Sequence, residues 1–140
     1  MLLATGVSAS ASSAGGQFYD PCPSPAAVRD IRSAAPVIEG AYRAIKRLFP
    51  QMNYAQGRTP PVTRATTMIR EVVELNRTSR DALAFRRLAV RPCGQSIALR
   101  SWAVVAQFPL SAMARTSQSA FFVVHTTRGW KLYGGVLDRH

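Results

Sequence analysis

The sequence predicts an α+β fold, helices first and an antiparallel sheet last, on three observations. Apolar residues recur at steps of three and four between Val28 and Phe49, the period of a helix with one buried stripe. From Pro92 onward the pattern changes to long β-rich runs. Two of these flank Thr127-Arg128-Gly129, a short segment suited to a hairpin turn, with glycine where a positive φ is needed. Helices preceding strands in this way cover one face of the sheet.

Residues 1–21 are rich in Ser, Ala and Gly and read as a flexible tail or the remnant of a secretory signal. Residues 22–140 then form a single α+β domain. The stretch Met1 to Gly16 has no charge, a brief apolar start and an Ala-x-Ala-like element at Ala9 to Ala11. A charged leader and most of an apolar segment are missing, so the true start is expected upstream; the rival is a small-residue tail on an intracellular protein. Ser24-Pro25 opens the first helical region as cap and first position, and Val28, Ile31, Ala35, Ile38, Tyr42, Ile45 and Phe49 form its stripe. Pro36 predicts a kink or a restart, and Pro50 ends the element. Residues 51–62, with Gly57 and Pro60-Pro61, read as a loop.

A second helix is expected from about Arg64 to Asn76, capped by Thr63, followed by a turn over Arg77 to Asp81. Ala82 to Leu88 fits either a short helix capped by Ser79 or the lead into a strand. Ile97 to Phe108 reads as one long strand closed by Pro109, and Ser111 to Gln118 as a loop. Ala120 to Thr126 is the strongest strand, Trp130 to Tyr133 its hairpin partner, and Gly134-Gly135 ends or bends that partner. Short links between neighbouring strands favour an antiparallel meander.

The stripe from Val28 to Phe49, the run Ile97 to Phe108 and the closing Phe121-Phe122-Val123-Val124 … Gly129-Trp130-Lys131-Leu132-Tyr133 phrase together resemble the nuclear-transport-factor-2-like or cystatin-like superfamily. That resemblance spans about residues 24–135. It implies N-terminal helices packed on a curved antiparallel sheet. The group holds small-molecule isomerases and dehydratases as well as non-catalytic envelope and secretion-system domains, so the fold alone says little of function. Its enzymes present a His, Asp or Tyr to a cone-shaped interior, and no such set matches here residue by residue.

Charge is the most lopsided property. Eighteen Lys and Arg against seven Asp and Glu leave +11, and only Lys46 and Lys131 of the basic residues are lysines. Such a surface repels itself and suits an acidic protein or an anionic surface, although a high-GC coding bias yields the same arginine excess without function. Arg43, Lys46, Arg47, Arg70 and Arg77 are the candidate binding residues. Nucleic acid is argued against, because no zinc finger, basic helix-turn-helix or paired RNA-binding aromatics are present. No run reaches the roughly 18 apolar residues of a membrane-spanning helix.

Cys22 and Cys93 both lie beside prolines, and an even count in a chain expected to be exported suggests a disulfide. A bridge would close a loop of about 70 residues and contribute roughly 4 kcal/mol in the chain-entropy account; two free thiols are the alternative. His125 and His140 are the only histidines and form no metal-binding spacing, so neither a metal nor any other cofactor is expected. Nucleophile elbows, phosphate loops and dinucleotide fingerprints are absent from the sequence. Asn76-Arg77-Thr78 fits a glycosylation triplet, relevant only in a eukaryotic source.

The resulting expectation is a non-enzymatic exported or envelope-associated domain that binds an acidic partner through an Arg-rich helical face. The alternative is an isomerase- or dehydratase-like pocket lined by Tyr42, Trp102, His125 and Tyr133, with Asp81 or Glu71 as base. Those aromatic residues serve equally well as core. An intracellular nucleic-acid binder is a third reading, which requires two reduced cysteines.

Overall fold

A computed structural model describes residues 19–50, 52, 62–110 and 115–139. Its frame is three long strands, β3 (Trp102–Leu110), β4 (Arg115–Thr126) and β5 (Gly129–Arg139), preceded by the short β1 (Val28–Arg29) and by β2 (Met68–Glu74). All pairings are antiparallel: β2 with β3, β3 with β4, and β4 with both β5 and β1. Thr126 and His125 pair with β1 on one side and with Gly129 and Trp130 on the other. Hence β1 lies on the same edge of β4 as β3, just beyond the end of β3. The β4–β5 turn forms as expected: Gly129 has φ 100, and Thr126 Oγ1 donates to its carbonyl at 2.8 Å.

Side chains alternate across a strand, and the two cores follow that alternation. Trp102, Val104, Ala106, Phe108, Phe121, Val123 and Leu132 pack against helix α1 (Ala34–Lys46). Ala103, Phe122, Val124 and Tyr133 face the other way, toward helix α2 (Arg80–Ala98) and its Ala89, Ile97 and Ala98. The sheet is therefore sandwiched, with a helix on each face. This corrects two expectations. The helices do not share one face, and the sheet is open, neither curved nor closed, with β2 and β5 as its outer strands. A sheet covered on both faces has no vacant concave side, so the resemblance to the nuclear-transport-factor-2-like and cystatin-like architecture does not hold.

Several elements differ from expectation in bounds or kind. Ser24-Pro25 opens a single 3-10 turn, Pro25–Ala27, and the chain then enters β1. The helix restarts at Ala34, before Pro36, which sits in the first turn where backbone N–H groups have no intrahelical acceptor. The buried face of α1 is Val37, Gly40, Ala41, Ala44 and Ile45, while Ala35 and Ile38 of the expected stripe lie exposed. Small residues let the helix approach closely: a Cβ at Gly40 would overlap the Trp130 indole. Pro50 does not end a long helix, because α1 stops at Lys46 and residues 49–50 are helical again. Most of the expected 51–62 loop lies outside the described residues, as do 111–114 of the Ser111–Gln118 loop and nearly all of the 1–21 tail. Arg115–Gln118 of that second loop belong to β4.

The expected second helix is in fact β2. Its register against β3 shifts between Ile69 and Glu71, which leaves Arg70 as the extra residue of a bulge. Ala82–Leu88 is helical, within α2, which runs to Ala98 with a non-helical break at Gly94 (φ 85, ψ 171). The strand expected from Ile97 thus begins only at Trp102. Gly134-Gly135 lies inside β5 and does not end it.

Polar devices tie the N-terminal segment to this frame. Asp20 and Leu132 exchange backbone and side-chain bonds, Asp20 N to Leu132 O and Leu132 N to Asp20 Oδ2, both at 2.8 Å. This caps the outer edge of β5 at that point. Arg100 donates to Asp30 Oδ1 at 2.8 Å, Pro25 O at 3.0 Å and Val28 O at 2.9 Å. Its guanidinium holds the Asp30 carboxyl below the usual carboxylate range.

Candidate functional site

Helix α1 turns Arg43 and Lys46 to solvent, opposite the buried Ala41, Ala44 and Ile45. Both sit in the last turn, where positive charge complements the helix dipole. Arg47, just beyond, is not free: it donates to Asp20 Oδ2 at 2.6 Å. Arg77 and Arg32 both reach Glu74, at 3.0 Å each, and so satisfy a carboxylate that is only 8% exposed. Arg64 lies over the Tyr42 ring at 3.3 Å and pairs with Glu39 at 3.8 Å. Arg70, on its bulge, is exposed. Of the five sequence-selected basic residues, then, Arg47 and Arg77 balance charges within the chain itself. Arg43, Lys46 and Arg70 form no ion pair among the described residues.

Helix α2 carries a second basic surface. Ser79 caps it, its hydroxyl accepting from Ala82 N at 3.2 Å, and Asp81 occupies the first turn. Ala82 and Ala89 face the sheet. At about 100° per residue, Arg80, Arg87 and Arg91 fall within roughly 40° of one another on the opposite side. All three are exposed, and none forms an ion pair among the described residues. Leu83 lies beside them and is 41% exposed. Arg86 points elsewhere, donating to the Leu75 carbonyl at 2.8 Å at the end of β2.

The four aromatic residues offered for a pocket do not converge on one. Tyr42 donates to Thr67 O and accepts from Ile69 N, binding α1 to the start of β2. Trp102 is in the α1-side core, with its indole N–H bonded to Ile31 O at 3.1 Å. His125 packs against Trp130 with centroids 4.8 Å apart and the rings tilted by 44°, and its Nδ1 is buried without a hydrogen bond among the described residues. Tyr133 belongs to the other face. Its hydroxyl donates to Ser101 Oγ at 2.8 Å, which in turn donates to Ile97 O at 2.6 Å, and burial pushes its pKa up to about 12.

Glu71 and Asp81 do meet at one cleft, but without those aromatics. It holds about 240 Å³ and is lined also by Phe85, Val105, Gln118, Ser119 and Ala120. That volume is smaller than the roughly 300–1,000 Å³ of ordinary ligand pockets. Finding it from sequence required knowing that β2 is a strand, which brings Glu71 beside α2.

The Cys22–Cys93 disulfide forms as expected, with Cα atoms 5.5 Å apart across a separation of 71 residues. Among the described residues no group of three or more His, Cys, Asp or Glu side chains could hold a metal ion, and no helix is long and apolar enough to cross a membrane. No family model matches the chain, and neither the curated proteins nor the solved structures compared with it include a match.

Proposed function

We propose that this chain is a non-enzymatic binding domain that works outside the cytoplasm and holds an acidic partner or anionic surface through arginines on its helices. One observation carries the reading. Asp20, Asp30, Glu39 and Glu74 are each engaged by an arginine of the chain, whereas Arg43, Lys46, Arg80, Arg87 and Arg91 point outward from the helices and meet no carboxylate among the described residues. Arginine rather than lysine at most of these places suits bidentate contacts with carboxylate or phosphate. The disulfide supports an oxidising compartment.

Polyglutamate binding, followed by titration calorimetry across a salt series, tests this. Wild-type affinity should fall steeply with salt. Replacing Arg43 and Lys46, or Arg87 and Arg91, with Gln should weaken it about tenfold for at least one pair, against less than about threefold for Arg128→Gln with Lys131→Gln, which removes the same charge from the hairpin. Equal losses from all three pairs would reduce the effect to net charge and sink the reading.

A further inference from the structure

Resting on that reading, we infer that the contact surface is the outer face of α2 and that it lies on an anionic phospholipid bilayer. Arg80, Arg87 and Arg91 form one stripe along about 16 Å of helix, at 1.5 Å per residue. No ion pair among the described residues rewards that arrangement. Arg80 is the first residue of α2, where the helix dipole disfavours positive charge. Arg87 and Arg91 stand one turn apart, so their like charges repel. Asp81 is the only acidic residue of the helix. On α1, by contrast, Glu39 shares the helix with Arg43 and Lys46, and both basic residues sit in the last turn where the dipole favours them.

The choice of bilayer over acidic protein or nucleic acid comes from Leu83. Among the described residues it is one of three large apolar side chains left exposed, and it stands between Arg80 and Arg87 on the same outer face, three residues from one and four from the other. A helix lying in a membrane interface uses this combination: arginines reach the phosphates while an apolar side chain enters the acyl boundary. Ala84 adjoins the stripe and leaves room for close approach. The opposite side of α2 is already committed to the sheet through Ala82, Ala89, Ile97 and Ala98, so the helix rests on the surface without leaving the fold.

Vesicle sedimentation with intact, oxidised protein tests the inference, using phosphatidylcholine vesicles with and without about 30 mol% phosphatidylglycerol. The wild type should sediment with the anionic vesicles only. Arg80→Gln with Arg87→Gln and Arg91→Gln should reduce binding about tenfold or more, Arg43→Gln with Lys46→Gln less than about threefold, and Leu83→Ser by an intermediate factor. A Leu83→Trp variant should show a blue-shifted indole emission on anionic vesicles beyond any shift of the two native tryptophans. If the α1 pair costs as much as the α2 triple, the assignment to α2 is wrong. If Leu83→Trp does not shift, Leu83 makes no apolar contact with the vesicle and the inference that this face lies in the bilayer interface is wrong. Protein that ignores vesicles yet binds polyglutamate through Arg87 and Arg91 overturns the bilayer inference alone. Protein that binds neither overturns the underlying reading as well.

Discussion

Against α1 the sheet presents Trp102, Val104, Phe108, Phe121 and Leu132, met by Val37, Ile45, Leu48 and Phe49; against α2 it presents Ala103, Phe122, Val124 and Tyr133, met from the helix by the buried Ala89, Ile97 and Ala98 and by Phe85, Leu88 and Val90, which are only partly buried. The first interface is filled by interlocking large side chains, with Trp130 pressed on Gly40. The second has fewer fully buried side chains, and specific bonds reinforce it: the disulfide at Cys93, the chain from Tyr133 through Ser101 to Ile97, and Arg86 on the Leu75 carbonyl. Where apolar burial is small, covalent and polar links hold the layer. That division leaves the outer surface of α2 free of structural duty, and there Arg80, Arg87 and Arg91 stand without an ion pair among the described residues.

Breaking the staple should have the largest effect. Replacing Cys22 and Cys93 with Ala frees a long loop in the unfolded chain and should cost about 4 kcal/mol in denaturant unfolding. A far smaller loss would mean that the bridge contributes little to stability, and the idea that a covalent link reinforces the α2 layer would fail. Tyr133 comes next. Its pKa is raised to about 12 by burial, above the value of about 10 in an unfolded chain. The folded state therefore disfavours the phenolate. The stabilisation is complete below pH of about 10 and is lost as pH rises toward 12, by about 2 to 3 kcal/mol in all. Urea unfolding at pH 9 and 11.5 should show a clearly steeper loss for wild type than for Tyr133→Phe. Parallel losses would mean that the hydroxyl is not confined in the way its partners imply.

Much of this architecture can be read from the chain, and the failures have physical causes. The hairpin at Thr127-Arg128-Gly129 follows from local chemistry, the Ser79 cap belongs to one of two readings of its segment, and the Cys22–Cys93 bridge is expected from cysteine count and context against two free thiols; all three form. The misreading of β2 as a helix traces to its bulge. With Arg70 extruded, Ile69 opposite Ala106 and Val72 opposite Val104 share the α1 face although they are three residues apart, which imitates a helical step. The long run from Ile97 to Phe108 conceals a boundary because α2 ends at Ala98 with Leu99 as its cap in αR geometry, without a glycine or proline to mark the stop. The α1 stripe was displaced because its true face is built of Gly40, Ala41 and Ala44, residues that carry little hydropathy signal but permit close packing. Among the candidate site residues, outward placement of Arg43 and Lys46 followed from periodicity. The pairing of Arg47 with Asp20, 27 residues away, depends on tertiary contact. The Arg80, Arg87 and Arg91 stripe becomes visible only once Ala82–Leu88 is assigned as helix.

The α1 interface offers a smaller but sharper test. Gly40→Ala should cost about 1–3 kcal/mol, because the new methyl group meets the Trp130 indole in a layer with no slack. Combining it with Trp130→Leu should recover part of that loss, a coupling that adjacent groups show and distant ones do not. Additive losses would place the strain elsewhere in α1.

Ser79→Ala is expected to have the smallest effect, about 1 kcal/mol, by removing the side-chain acceptor of the Ala82 N–H. Its value lies in where the effect stops. Gly94 leaves helical geometry between the two parts of α2, so no continuous ladder of hydrogen bonds joins the first turn to Ile97 and Ala98. Beyond that break, Leu99 N bonds to Gln95 O, Ser101 N to Ala98 O, and Cys93 is tied covalently to the N-terminal segment. Amide hydrogen exchange in Ser79→Ala should therefore lose protection at Ala82 and Leu83 but not from Ile97 to Ser101. Loss spreading to Ser101 would show α2 to be one cooperative unit. Loss confined to the first turns would show that the segment bearing the arginine stripe can loosen while the stapled end stays fixed to the sheet.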